Sequence, residues 1–272
     1  MQTLHVISHT HWDREWYLTF QQFRLKLVHL IDKLLDILAV DPEFKYFMLD
    51  GQTIVLDDYL LIRPEMESVL RGHIQSGRIL IGPWHILPDM FLVSPEAHIR
   101  NLLEGACTAR RFGPKMPIGY IPDPFGHPGQ VPQILKGFGI EAAALWRGLS
   151  DQPAELWWQS PDGSRVLLAY LRDSYSNGAN LPVHDSAQFA QLIATARDSL
   201  AAHSAVNDFL IMLGTDHMEP SPYTSAAIAY ANANLLDTQV IHSTLPDYVQ
   251  RISDSIIKLE KPIFTIRGEL RA

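Results

Sequence analysis

Seven short runs of strand character recur along the chain, and each is followed by residues at helical spacing. The runs are Leu4–Ser8, Tyr46–Leu49, Arg78–Ile81, Ile118–Ile121, Ala142–Leu145, Phe209–Leu213 and Gln239–Ile241. After the first run, Phe23, Leu27, Leu30, Ile31, Leu34, Leu35 and Leu38 make one apolar helix face. The second is followed by a helical region to Gln75, broken near Pro64. Ser94-Pro95-Glu96 opens the next helix with proline in its first turn. Further helices are expected over Gln130–Lys136, Ser186–His203, Ser221–Asn234 and Leu245–Lys258. Such alternation argues for a parallel sheet with helices outside it. The count favours an α/β fold of the seven-stranded (β/α)7 barrel-like kind over a flat doubly wound sheet. Asp162-Gly163, between two apolar runs within Glu155–Leu171, signals an inserted β-hairpin.

In a barrel of this kind, chemistry collects at the C-terminal ends of the strands. Polar clusters stand at those ends here. His11 and Asp13 follow the first strand, Asp123 the fourth, Arg147 the fifth and Asp216 the sixth. No G-x-G-x-x-G follows the first strand, so a dinucleotide fold has no support.

In His9-Thr10-His11-Trp12-Asp13-Arg14-Glu15-Trp16, an extended backbone would turn His9, His11 and Asp13 to one side. Imidazole and carboxylate on one edge make half of a divalent metal site, and zinc suits these ligand types best. Trp12 and Trp16 offer flat apolar faces beside it. Asp123 lies between Pro122 and Pro124, which stiffen its turn and suit a nucleophile or a metal ligand. An ordinary turn aspartate fits the same residues. Asp216 follows an apolar strand and Gly214. Partial burial there would raise its pKa as a general acid requires; the alternative is a helix N-cap. Together these groups fit glycoside hydrolysis by two carboxylates. Trp157 and Trp158, in the hairpin, are read as core.

Lys and Arg number 22 against 30 Asp and Glu, a formal net charge of -8, which argues against nucleic acid or an anionic membrane as partner. No run is long enough for a transmembrane helix. The lone Cys107 permits no internal disulfide and reads as a small core residue of its helix. Without a basic, apolar leader the expectation is a cytoplasmic protein. Phe264 and Ile266 need a partner after the last helix, and residues 1–272 read as one catalytic barrel domain at the N-terminus of a longer enzyme.

The chain resembles the N-terminal catalytic barrel of glycoside hydrolase family 38, the zinc-dependent retaining α-mannosidases, in its bacterial branch. The resemblance rests on His9–Trp16, Leu49-Asp50-Gly51-Gln52, Gly82-Pro83-Trp84, Asp123-Pro124-Phe125-Gly126-His127, Trp146-Arg147-Gly148 and Arg267-Gly268-Glu269-Leu270-Arg271, in the family's order. It implies hydrolysis of terminal α-mannosides through a glycosyl-aspartate. It implies that His11, Asp13 and Asp123 bind one zinc ion, that Asp123 is also the nucleophile, and that Trp16, Phe125 and Arg147 border the sugar. Asp216 matches the general acid/base, although the family often has Gly-Asp-Asp where this chain has Gly214-Thr215-Asp216. His9 falls behind the ligand set. A fourth zinc ligand, a histidine, is implied beyond the Gly-Glu-Leu-Arg stretch; His217 and His242 are substitutes without a motif match. The partner is a mannoside or mannosyl-containing molecule, and oligomeric state stays open. Mannosylglycerate hydrolysis, a zinc-dependent carbohydrate deacetylase and a sugar-binding fragment without turnover are the alternatives.

Overall fold

The computed structural model describes residues 1–272. In chain order the strands are β1 (Gln2–Thr10), β2 (Phe47–Leu49), β3 (Ile79–Leu80), β4 (Ile118–Ile121), β5 (Gly126–His127), β6 (Ala142–Leu145), β7 (Glu155–Gln159), β8 (Arg165–Tyr170), β9 (Asp208–Leu213), β10 (Thr238–His242), β11 (Thr265–Arg267) and β12 (Leu270–Arg271). The helices are α1 (Phe20–Val40), α2 (Ile54–Leu60), α3 (Glu67–Gln75), α4 (Pro95–Phe112), α5 (Val131–Gly137), α6 (Ser186–Ala201), α7 (Thr224–Asn234) and α8 (Leu245–Ile256). A 3₁₀ turn at Pro64–Met66 separates α2 from α3, at the expected break.

The expected α/β class with parallel strands is present, but the seven-stranded barrel is not closed. β1 runs parallel to β9 along one edge and to β10 and β2 along the other, with β3 outside β2. The second sheet has the order β4-β6-β8-β7-β11, parallel except between β7 and β8. No ladder joins β3 to β4, or β9 to the second sheet. At the first gap β3 is only two residues long and soon meets Pro83, which has no N–H to donate. There Met116 N donates to Ile81 O (2.8 Å) and Trp84 Nε1 donates to Tyr120 O (3.0 Å). At the second gap a loop takes the place of a strand. Met212 N donates to Asn177 Oδ1 (2.7 Å), and Asn177 Nδ2 donates to Leu210 O (3.0 Å).

The expected hairpin forms, but β8 is no appendage: it is the parallel neighbour of β6 and is buried at every residue after Arg165. Ile266 finds its partner within the chain, because β11 pairs with β7. The apolar face of α1 is fully buried at Phe23, Leu27, Leu30, Ile31 and Leu34; each such side chain contributes roughly 1.5–3 kcal/mol. Ser94 caps α4 by accepting from Ala97 N (3.3 Å). Cys107 is exposed, contrary to the core expectation, because α4 buries the face carrying Leu102, Gly105, Ala109 and Phe112. Trp158 is fully buried as expected. No helix is long and apolar enough to cross a membrane.

Candidate active site

The pairing of β1 with β9 continues past both strands. His11 N donates to Thr215 O (3.1 Å) and His217 N donates to His11 O (2.8 Å), so His11 lies directly beside Asp216. The approach is close enough to require glycine. A Cβ at Gly214 would stand 2.0 Å from the His9 carbonyl oxygen.

His11 is gripped from behind. Asp50, which ends β2, is fully buried in the left-handed region at φ 52°. Its Oδ1 lies 3.0 Å from His11 Nδ1, while Oδ2 accepts from Trp12 N (2.7 Å) and Gln52 Nε2 (2.8 Å). A carboxylate on Nδ1 assigns the proton to that nitrogen and turns Nε2 outward. Burial pushes the His11 imidazole down. The Asp50 charge and hydrogen bond, with Asp13 and Asp216, more than offset this and hold its pKa at about 9. The pocket therefore favours a positive charge at His11 Nε2.

Asp13 Oδ1 lies 3.7 Å from that nitrogen. Two donors each about 2.0–2.2 Å from one zinc ion can be at most about 4.4 Å apart, so this pair fits. Three His, Cys, Asp or Glu side chains do not gather tightly enough to hold an ion as they stand. Asp123, the third expected ligand, is instead tied to Arg147, whose Nε donates to its Oδ1 (2.8 Å) and its backbone oxygen (3.0 Å). The Arg147 guanidinium lies over the rings of Phe125 (4.3 Å) and Trp146 (4.2 Å).

Asp216 is half-buried and accepts a hydrogen bond from Tyr175 Oη (2.8 Å). Helix α7 begins eight residues later, so Asp216 is not its N-cap. The Tyr175 ring lies 5.0 Å from the His11 ring and 5.5 Å from Trp146. Burial drives the phenol above its ordinary pKa, and so do the hydrogen bond to Asp216 and the charges of Asp123, Asp216 and Asp13. Three carboxylates that follow three different strands thus act on one hydroxyl. Tyr175 was missed in the sequence reading. Its signal was its place after β8, a strand read there as part of an insertion.

Trp16 and Phe125 are 65% and 63% exposed, as surfaces meant to meet a ligand must be. Trp12 is not such a surface: it is buried, edge-on to Phe23 and to His217. His9 is buried with both ring nitrogens unpartnered, and burial lowers its pKa to about 4. Both substitute ligands already hold protein partners. His217 Nε2 donates to Asp13 O (3.0 Å) while its ring stacks on Phe23. His242 accepts from Lys45 N (3.2 Å) and bonds Ser8 Oγ (3.0 Å).

Residues 1–269 match the sequence model of the glycosyl hydrolases family 38 N-terminal domain. The chain belongs to glycoside hydrolase family 38. It is 42% identical over 285 residues to a protein of Halalkalibacterium halodurans named "Putative mannosylglycerate hydrolase", covering 99% of this chain and 31% of that protein. Human alpha-mannosidase 2C1 is 27% identical over 213 residues, or 75% of this chain and 20% of that one. The crystal structure of an alpha-mannosidase from Enterococcus faecalis V583 superposes with a TM-score of 0.94 at 36% identity, covering 99% of this chain and 31% of that one. The chain thus spans about a third of the length of the Halalkalibacterium protein and of the Enterococcus enzyme.

Proposed function

We propose that the protein is a retaining α-mannosidase-type glycoside hydrolase, with residues 1–272 as its catalytic domain. The carrying observation is the register that sets His11 beside Asp216, with Asp13 Oδ1 3.7 Å from His11 Nε2, in a chain of family 38. Asp123 attacks the anomeric carbon and forms a glycosyl ester as the bond to the leaving oxygen breaks. Asp216 gives that oxygen its proton, then takes one from the water that opens the ester. Arg147 fixes the nucleophile's Oδ1, and Tyr175 fixes the acid/base. Trp16 and Phe125 supply apolar walls for the sugar.

His11, Asp13 and Asp123 would hold a zinc ion, whose chemistry is to bind vicinal sugar hydroxyls and favour a distorted ring. The outward Nε2 of His11 and its distance to Asp13 support this. Within the family, a mannosylglycerate is the second candidate substrate, on the name of the 42% identical relative. Family membership supports cleavage of a glycosidic bond over deacetylation. A cytoplasmic site of action belongs to the proposal and suits an exposed Cys107 without a partner.

The test is the anomer first released from an α-mannoside, read by proton NMR before mutarotation. α-Mannose is expected. β-Mannose would remove the covalent mechanism, and no cleavage of any α-mannoside would remove the activity.

A further inference from the structure

The two carboxylates proposed to do the chemistry stand on different sheets. Asp216 follows β9 of the first sheet, and Asp123 follows β4 of the second. A retaining glycosidase needs its two carboxyls about 5–5.5 Å apart, so their spacing depends on what joins the sheets. No ladder joins β8 to β9. Residues 171–181 bridge that gap. Leu171 N donates to the oxygen of Leu145 (2.9 Å), the last residue of β6, and Gly178 N donates to Met212 O (2.9 Å) in β9.

Asn177 is the clasp of this loop. Its half-buried amide takes two backbone groups of β9: Nδ2 donates to Leu210 O (3.0 Å), and Oδ1 accepts from Met212 N (2.7 Å). One donor and one acceptor in that place do what a neighbouring strand would do. Gly178 permits the approach, since a Cβ there would stand 2.8 Å from Ile211 Cγ2 and 2.9 Å from Met212 O. On the other side of the clasp, Ser174 passes through the left-handed region at φ 82°, and its Oγ accepts from Ser176 N (3.3 Å). Such a turn persists only where its surroundings hold it. Here it carries Tyr175 to the mouth, where Oη donates to Asp216 Oδ1 (2.8 Å). One short loop therefore grips β9 twice: at Leu210 and Met212 through Asn177, and at Asp216, four residues beyond Met212, through Tyr175.

We infer that Asn177 is a positioning residue: by clasping the Tyr175 loop to β9 it sets Asp216 in register with the half of the mouth that carries Asp123. It acts through Tyr175. The inference rests on the glycosidase reading and names what aligns the two halves of that site.

The experiment compares kcat/KM of the intact protein, supplied with zinc, for methyl α-mannoside and 2,4-dinitrophenyl α-mannoside. The first needs a proton on its leaving oxygen and the second hardly does. In Asn177→Ala the methyl substrate should slow by about 10–100-fold, the scale of a small misplacement of a catalytic group, and the dinitrophenyl substrate far less. In an Asp216→Asn background the same substitution should add no further slowing. Equal slowing of both substrates, as loss of folded protein would give, overturns the inference. Unchanged rates, or full additivity with Asp216→Asn, overturn it too. Asn177→Asp keeps an acceptor for Met212 N and removes only the donor to Leu210 O, so it should show the same selective loss even if Asn177→Ala does not fold. Crystal structures of the wild type and the variants are read alongside, with Tyr175 Oη expected beyond hydrogen-bond reach of Asp216 in the variants. A wild type that cleaves neither mannoside removes the glycosidase reading; a Tyr175–Asp216 bond unchanged in the variants removes the role of Asn177.

Discussion

Replacing Asp50 should cost more stability than any exposed residue of the mouth. Its carboxylate is fully buried and serves His11 Nδ1, Trp12 N and Gln52 Nε2. In Asp50→Ala, Gln52 Nε2 keeps its other bond, to Trp12 O (2.8 Å). The His11 and Trp12 donors lose theirs. Each buried donor left unsatisfied costs about 1–3 kcal/mol, and a buried charge pair broken by removal of one partner costs about 3–5 kcal/mol. The two estimates overlap near 4 kcal/mol, a large share of the roughly 5–15 kcal/mol that folds a domain. With an unfolding slope of about 3 kcal/mol per molar urea, the midpoint should fall by more than about 1 M. Asp50→Asn keeps an acceptor for Trp12 N and should lose about half as much. Because Asp50 also aims His11 Nε2, both variants should weaken zinc binding by about 10–100-fold, measured by competition with a chromophoric chelator. A midpoint shift below about 0.3 M for Asp50→Ala would show that this carboxylate does not hold the fold. Zinc affinity equal to wild type would show that it does not aim His11.

Three more expectations concern the same frame. Asp216→Asn should slow mannosides with poor leaving groups by about 100-fold or more, and activated aryl mannosides far less; equal slowing of both takes the acid role from Asp216. Tyr175→Phe removes the 2.8 Å bond to Asp216 and should lower kcat/KM by about tenfold, so a change within twofold would leave that bond without function. Burial holds His127 and His242 down at about 4, against about 6.5 in an unfolded chain. The unfolded state takes these protons first, so this stability is complete above about pH 6.5 and is lost as pH falls toward 4. Each histidine contributes up to about 3 kcal/mol. His242→Gln should flatten the decline in urea midpoint between pH 6.5 and 4, and an unaltered slope would count against the cause.

Much of this frame was legible because most of its strands carry a compact apolar run, as in β4, β6 and β9. β4 and β6 fall on the residues read from sequence, and β1, β9 and β10 extend them by a few. Closure of the barrel was not legible, since it depends on what crosses the gaps. A tryptophan indole crosses one and an asparagine amide caps the other, and neither leaves a periodic signal. Period alone could not decide whether β8 was an appended hairpin strand or a neighbour of β6, and Tyr175 was overlooked with it. Likewise the alternation of His9, His11 and Asp13 gave their common side but not their partners. That Asp50 would stand behind His11, and Arg147 against Asp123, is fixed by β2 and β6 meeting β1 and β4 in space. Trp12 and Trp16 look alike in sequence; one is core and the other is surface because β1 has only just ended at Trp12.

In the proposed reaction Asp123 becomes covalently bonded to the sugar. A 5-fluoro mannosyl fluoride, which slows opening of the ester more than its formation, would be incubated with the enzyme, and the peptides read by tandem mass spectrometry. One added fluoromannosyl group is expected on the peptide spanning Pro122-Asp123-Pro124, located on Asp123 and absent from Asp123→Ala. The same label on Asp216 or Asp13, or turnover with no label on any carboxylate, would contradict it.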